Sequence, residues 1–136
     1  MDQKSTLNLG LIIAVSFFLV IFMALPQVVN AVTQEWVKRY DGPGKWEDWA
    51  CAIDVDTNGN VYVTGTSEGA DYSADPATIK YNSAGVRQWN RRYNGPGKGF
   101  DYATDIAVDT DGNVYVTGES YNAACNSDYA TIKYAP

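Results

Sequence analysis

Aromatic and acidic side chains lie close together at two places in this sequence, in the runs Trp-Glu-Asp-Trp and Gly-Phe-Asp-Tyr. An aromatic ring can stack on a sugar while nearby carboxylates accept hydrogen bonds from its hydroxyl groups. The pattern gives a candidate ligand-binding set: Trp46, Asp48, Trp49, Phe100, Asp101 and Tyr102. The alternative is structural, because aromatic residues more often fill interfaces, and the two aspartates could cap the start of a strand.

Two oxygen-rich segments are candidates for a weak calcium site, one with Asp56 and Asn58 and the other with Asp109 and Asp111. Their glycines come too early for an EF-hand, and no glutamate follows at the spacing that an EF-hand requires. A tight turn explains the same residues, because glycine supplies a positive φ and aspartate bonds the backbone. We expect no cofactor.

The composition excludes several functional classes. The sequence has no histidine, which removes histidine-dependent metal sites and Ser-His-Asp triads. Its net charge of −6 argues against nucleic acid as a partner. A secreted carbohydrate-active enzyme would need two carboxylates across one bond, and no acidic pair is set apart by its spacing. We therefore expect no enzymatic activity.

The first 31 residues predict export. An apolar run over residues 7–25 ends at Pro26 and is followed by Val29 and Ala31, which suits a signal peptide cleaved after Ala31. The alternative is an uncleaved membrane anchor, because the run nearly matches a hydrocarbon core of about 30 Å. Either way we expect a secreted or cell-surface protein that meets the membrane only through this segment, if it stays uncleaved.

The remaining chain is a repeat. Residues 36–83 align without a gap with residues 89–136, an offset of 53 residues. We therefore divide the chain into a first repeat in residues 32–88 and a second in residues 89–136. Strands are predicted at residues 50–56, 60–65, 77–81 and 86–93, with tight turns between them.

The second strand of each repeat has large side chains on both faces, in the run Val-Tyr-Val. Both faces of the sheet must then be covered, as happens when small sheets stack radially. The sequence predicts an all-β fold with two four-stranded antiparallel β-propeller blades, an incomplete propeller, after an N-terminal hydrophobic signal helix. Two independent small sheets, or a sandwich, are the alternatives.

The runs Ile-Ala-Val-Asp, Gly-Asn-Val-Tyr-Val-Thr-Gly and Asp-Tyr-Ala-Thr-Ile-Lys-Tyr resemble the SBBP beta-propeller repeat family over residues 36–136. The resemblance implies the fold and export, since its members are typically large secreted or surface proteins of bacteria and archaea. It implies no catalytic residue, because the shared positions lie in strands and turns. The first repeat departs at Pro76 and Cys51, where the second has Tyr129 and Thr104.

The two cysteines form a candidate disulfide. Cys51 lies near the start of a first strand, and Cys125 lies in the loop between strands two and three of the next repeat. In a propeller both positions fall on one rim, and export to an oxidising space permits a bridge at a Cα separation of about 4.4–6.8 Å. Two unpaired thiols are the alternative, because each cysteine occurs in one repeat only.

The strand order predicts an open edge. Residues 36–40 are predicted as a fourth strand without its own blade, and the second repeat lacks its outer strand. Closed rings use about four to eight blades, so we expect association with a further copy or with other propeller blades. Either chains join head to tail, three of them giving six blades, or the chain is part of a longer array.

These observations predict an exported, non-enzymatic β-propeller-repeat protein that acts as a binding or cell-surface interaction module. One alternative is a structural fragment of a larger surface array without a ligand of its own. The other is a carbohydrate-binding, lectin-like ring formed by head-to-tail oligomerisation.

Overall fold

The computed structural model describes residues 31–136, so the predicted signal helix or anchor falls, apart from Ala31, outside the described residues. In the described part every regular element is a strand, and no helix there could span a membrane. The strands are β1 (Asp48–Val55), β2 (Val61–Glu68), β3 (Ala74–Tyr81), β4 (Arg87–Arg92), β5 (Asp101–Val108), β6 (Val114–Tyr121) and β7 (Ser127–Tyr134).

The strands form two antiparallel sheets. Sheet 1 contains β1, β2, β3 and β4 in sequence order, and sheet 2 contains β5, β6 and β7. Within each sheet every strand pairs with the next along the chain, so short turns are enough to connect them. The predicted all-β class and the two antiparallel sheets are confirmed, and sheet 2 has three strands in the described residues.

The second and third strands are longer than predicted. The strand β2 ends at Glu68 and β3 begins at Ala74, and these two residues pair with each other. Pro76 lies within β3 opposite Thr66, and its carbonyl oxygen accepts a hydrogen bond from the Tyr93 backbone N–H at 3.0 Å. Pro76 has no backbone N–H to donate, but its carbonyl oxygen still accepts a hydrogen bond from outside β3. The residue can therefore remain within the strand.

A bulge interrupts the first strand of each sheet, at Cys51 in β1 and at Thr104 in β5. Beside it, the partner strand carries Gly65 in sheet 1 and Gly118 in sheet 2. A Cβ atom at either glycine would collide with a backbone carbonyl oxygen of the bulged strand. The glycine that ends each Val-Tyr-Val-Thr-Gly run is thus required by the close approach of two backbones.

The segment of residues 36–40, which was predicted as a strand without its own blade, does not pair as a strand within the described residues. A strand needs a neighbouring ladder for its backbone groups, and none of the described strands pairs with this segment. Side chains hold it instead. The Trp36 indole Nε1–H donates to the Ser83 carbonyl oxygen at 3.2 Å, and its ring lies 6.1 Å from that of Tyr81.

The hydrophobic core lies between the two sheets. Tyr62 projects from sheet 1 and is fully buried against sheet 2, where Ile106, Val114 and Val116 are also buried. Trp89 of β4 extends this contact, with its ring 6.2 Å from Tyr62. Neither sheet has an interior of its own, so each sheet is stabilised by the face that its neighbour covers.

Ile106 and Ile53 occupy the same position of the repeat but are 8% and 65% exposed. We expect Ile106→Ala to lower the free energy of unfolding by about 2–5 kcal/mol, because it empties part of the core. Ile53→Ala is the matched control and should change it by no more than about 0.5 kcal/mol. Denaturant unfolding at low protein concentration measures both, and equal losses would contradict this location of the core.

Candidate functional site

The face of sheet 1 that is turned away from sheet 2 forms an apolar groove of about 230 Å³. We call this surface the groove. Strands of sheet 1 form its floor, and the segment of residues 36–40 forms one wall. Its lining includes Trp36, Tyr40, Trp49, Ala50, Ile53, Val61, Val63, Ile79 and Tyr81.

The groove repeats the residues of a surface that is covered elsewhere in the chain. At an offset of 53 residues most of its apolar positions correspond to the part of sheet 2 that packs on sheet 1, with the same residue type; Trp49 is an exception, since its equivalent is Tyr102. The identical pairs are Ala50 and Ala103, Ile53 and Ile106, Val61 and Val114, Val63 and Val116, and Tyr81 and Tyr134. One chemical surface therefore occurs twice. On sheet 2 its members on β5 and β6 are buried, whereas on sheet 1 Ile53 is exposed, Val61 and Val63 are partly exposed, and Tyr81 is buried beside Trp36.

Trp36 already makes one contact of the covered interface. Trp89 of β4 lies 6.0 Å from Tyr134 of sheet 2, and Trp36 lies 6.1 Å from Tyr81 of sheet 1. Trp36 and Trp89 are separated by the same 53 residues as the two tyrosines. The segment before sheet 1 thus contacts the groove as β4 contacts sheet 2.

An arginine clamp joins three strands of sheet 1. The Arg92 guanidinium donates to the Ser67 carbonyl oxygen and to the Asp75 carboxylate, both at 2.9 Å. Burial is the largest cause of a raised pKa at Asp75, although Arg92 lowers it, and the two side chains are only 21% (Arg92) and 7% (Asp75) exposed. The clamp was not predicted from the sequence. The repetition of both residue types could have indicated it, because Arg39 is equivalent to Arg92 and Asp128 is equivalent to Asp75.

The acidic members of the candidate ligand set hold loops in place. Asp101 is fully buried, and its carboxylate accepts the backbone N–H groups of Gly95 at 2.6 Å and Tyr121 at 3.0 Å. Asp48 accepts the Gly42 N–H at 2.8 Å in the same way. Each aspartate ties the Gly-Pro-Gly loop to the start of the following sheet. This geometry supports the capping interpretation for both residues.

The aromatic members of that set remain on the surface in separate groups. Trp46 is 54% exposed and lies 5.5 Å from the ring of Tyr72. Phe100 is stacked on Tyr102 at 6.5 Å with 6° between the ring planes, and Tyr121 meets Tyr102 edge-on. The remaining member, Trp49, lines the groove. The six residues thus do not converge on one site.

The comparison with protein families agrees with the repeat seen in the sequence and in the two sheets. The family model described as SBBP: Beta-propeller repeat matches residues 47–73 and 88–123. These segments are similar to SBBP beta-propeller repeats. The resemblance drawn from the sequence is confirmed. No curated protein matches the chain.

In each repeat one aspartate carboxylate accepts the hydrogen bonds that hold the turn between the first two strands. Asp109 accepts the backbone N–H groups of Asp111 and Asn113, the Asn113 side-chain amide at 2.8 Å and the Tyr115 hydroxyl at 3.1 Å. Asp56 makes the equivalent four bonds. Both oxygens of each carboxylate already have protein donors. No cluster of three acidic or cysteine side chains suited to a metal occurs in the described part of the chain.

These bonds lower the pKa of both turn aspartates. For Asp109 the bond from the Asn113 side chain is the largest cause. For Asp56 burial alone would raise the pKa, but the bonds from Asn60, Tyr62 and Asn58 together outweigh it. Each carboxylate therefore stabilises the fold in its charged form.

Cys51 and Cys125 are exposed free thiols in the structure. Cys51 lies in the β1 bulge with its Sγ 3.4 Å from the Thr64 carbonyl oxygen, and burial raises the pKa of its thiol. Cys125 lies in the turn before β7 with a φ of 61°. A bridge between them stays a prediction for oxidising conditions.

We expect the turn aspartates to make the fold sensitive to acid. Their ordinary pKa is 3.8 and their folded pKa is lower, so their stabilisation is complete above about pH 5 and is lost as the pH falls through the folded value. The variant Asp56→Asn/Asp109→Asn should lose less stability than the wild type between pH 6 and pH 3. Denaturant unfolding at each pH measures this. Asp111→Asn is the control and should behave like the wild type; a double variant as acid-sensitive as the wild type would contradict the assignment.

Proposed function

We propose that this chain is an exported, non-enzymatic SBBP-repeat protein that acts as an interaction module, and that the groove is its binding surface. The partner is a face of another propeller-type sheet. The observation that carries the proposal is the groove itself, which has most of the residue types of the covered interface and leaves Ile53 65% exposed.

The chemistry of the partner follows from the interface inside the chain. There the apolar surface of sheet 2 is covered by Tyr62, with Trp89 at its side. The groove offers the same apolar surface, and Trp36 already occupies the place that corresponds to Trp89. We therefore expect the partner to be a face of a sheet with a tyrosine that packs beside Trp36, as Tyr62 packs beside Trp89.

Support for export comes from the apolar run over residues 7–25 and the small residue Ala31 after it. Support for a non-enzymatic role comes from the way the acids are used. Asp101, Asp56 and Asp109 accept hydrogen bonds from the protein itself, so their oxygens are engaged in holding loops and turns.

A photo-crosslinker placed in the groove tests the proposal. Ile53 is replaced by p-benzoylphenylalanine, and the full chain is irradiated in the organism that makes it. We expect to find the chain in the extracytoplasmic fraction. There it should be crosslinked to a peptide from a propeller-type repeat, because the apolar groove and its partner are in contact. Mass spectrometry of the adduct identifies the peptide.

The matched control carries the same crosslinker at Thr57, an exposed residue at the tip of a turn in the same sheet. It should give no adduct with that peptide. Retention of the chain in the cytoplasm would overturn export. No adduct from the groove position, or adducts equal to those from Thr57, would overturn the groove as the binding surface and leave a purely structural role.

Carbohydrate binding is the second candidate, favoured by the exposed pair of Phe100 and Tyr102. On this candidate the full chain binds immobilised glycans, and Phe100→Ala weakens that binding about threefold to tenfold through the lost stacking. Tyr129→Ala is the control, since Tyr129 is 89% exposed and lies in β7. Absence of glycan binding, or equal losses in both variants, removes this candidate.

A further inference from the structure

We infer that the partner of the groove is a second copy of this chain, bound head to tail. The groove of one copy receives the open face of sheet 2 of the next, and residues 36–40 of the first copy join β7 of the second as a fourth strand. The inference rests on the proposed function and names its partner. Three features of the described residues carry it: a matching tyrosine, a matching strand register and a matching ion pair.

The open face of sheet 2 presents its tyrosine in the arrangement already used inside the chain. The Tyr62 hydroxyl donates to Asp56 at 3.0 Å, and the Lys80 ammonium lies 5.0 Å from its ring. Tyr115 repeats both contacts, with Asp109 at 3.1 Å and the Lys133 ammonium at 5.2 Å. Tyr62 is fully buried, whereas Tyr115 is partly exposed. The ring that would enter the groove is therefore held in place before binding.

The edge of β7 offers the ladder that residues 36–40 lack. In sheet 1, Thr78 of β3 pairs with Arg91 of β4. Thr131 lies 53 residues after Thr78, and Lys38 lies 53 residues before Arg91. The equivalent pair is therefore Thr131 of β7 opposite Lys38 of the other copy. In the described residues β7 pairs only with β6, so none of them occupies its other edge. Addition of a strand there satisfies backbone groups of both copies.

The charges on the two surfaces are complementary. In sheet 1 the Arg92–Asp75 pair fixes β4 against β3 and reaches Ser67 in β2. The equivalent residues are Arg39 on the segment and Asp128 and Ser120 on sheet 2. Arg39 and Asp128 are both exposed, and they form no ion pair within residues 31–136. Pairing of the two copies brings this arginine and this carboxylate together.

Two positions make the contact between copies weaker than the contact within the chain. The Asp54 carboxylate accepts the Val108 backbone N–H across the two sheets at 2.7 Å, and its equivalent on sheet 2 is Ala107. Ala52 packs on the core, and its equivalent is Asp105. The open face of sheet 2 thus lacks the carboxylate that makes this hydrogen bond, and it places Asp105 near the groove of the other copy. We expect association that depends on protein concentration.

The contact joins two different surfaces, so it is heterologous and propagates from copy to copy. Each copy supplies two sheets. A closed ring of about four to eight sheets would then hold about two to four copies.

Disulfide trapping with the full chain tests the predicted register. Cys51→Thr and Cys125→Ser first remove the native thiols. One population then carries Lys38→Cys and the other Thr131→Cys, because facing residues of antiparallel strands lie about 4.5–5.5 Å apart, within reach of a disulfide. We expect a disulfide-linked product containing one chain of each kind after mixing and mild oxidation, seen on a non-reducing gel.

The matched control pairs Lys38→Cys with Thr110→Cys, a thiol on an exposed turn of the same sheet. It should give little mixed product. Equal yields from both mixtures, or no mixed product from the first, would overturn the inference.

A charge exchange provides a second readout that does not depend on cysteine. Arg39→Asp alone or Asp128→Arg alone should weaken association about tenfold, and the double variant should restore it, as measured by sedimentation velocity. Asp111→Arg changes the charge equally at an exposed turn and should leave association unchanged. Failure of the double variant to restore association would overturn the pairing of Arg39 with Asp128.

The two proposals fail in different ways. A chain that sediments as a monomer at every concentration, yet is crosslinked through the groove to a different repeat-containing polypeptide, keeps the proposed function and overturns self-association. A chain without any groove adduct overturns both.

Discussion

Burial of two apolar faces by small sheets is the interaction on which this structure depends. Neither sheet encloses a core, and the fully buried Tyr62 reaches its apolar surroundings only because sheet 2 lies against sheet 1. Burial of this kind stabilises in proportion to the apolar area removed from water, so a sheet without a neighbour is only marginally stable. Each repeat therefore needs a neighbour that covers each face of its sheet. Among the described residues, such a cover is complete at the interface between sheet 1 and sheet 2.

The acids explain why this surface offers little chemistry of its own. A carboxylate that caps a loop or a turn must face backbone N–H groups, and this orientation turns its oxygens away from solvent ligands. Asp101 and Asp109 are of this kind. The same residues that suggest sugar or calcium binding in a linear sequence thus close the loops that hold each sheet in shape.

The two halves of the molecule show how position, rather than residue type, decides exposure. Ile53 and Ile106 are the same residue at the same place in the repeat, and they differ because only Ile106 has a sheet opposite it. A surface that resembles an internal interface but remains open is typical of a protein that associates. The arginine clamp shows the same relation, since Arg92 has found its carboxylate, whereas Arg39 is exposed.

The sequence by itself determined the local structure. Alternation along the strands, the Asp-Thr-Asx-Gly turns and the 53-residue offset predicted the seven strands that form and the two antiparallel sheets, because these signals act between residues close in the chain. Tertiary structure alone decided that residues 36–40 lack a ladder, that Pro76 lies within a strand and that Asp101 is buried. Those outcomes depend on neighbours far away in sequence, and the residues that the two repeats share do not indicate which repeat will be covered.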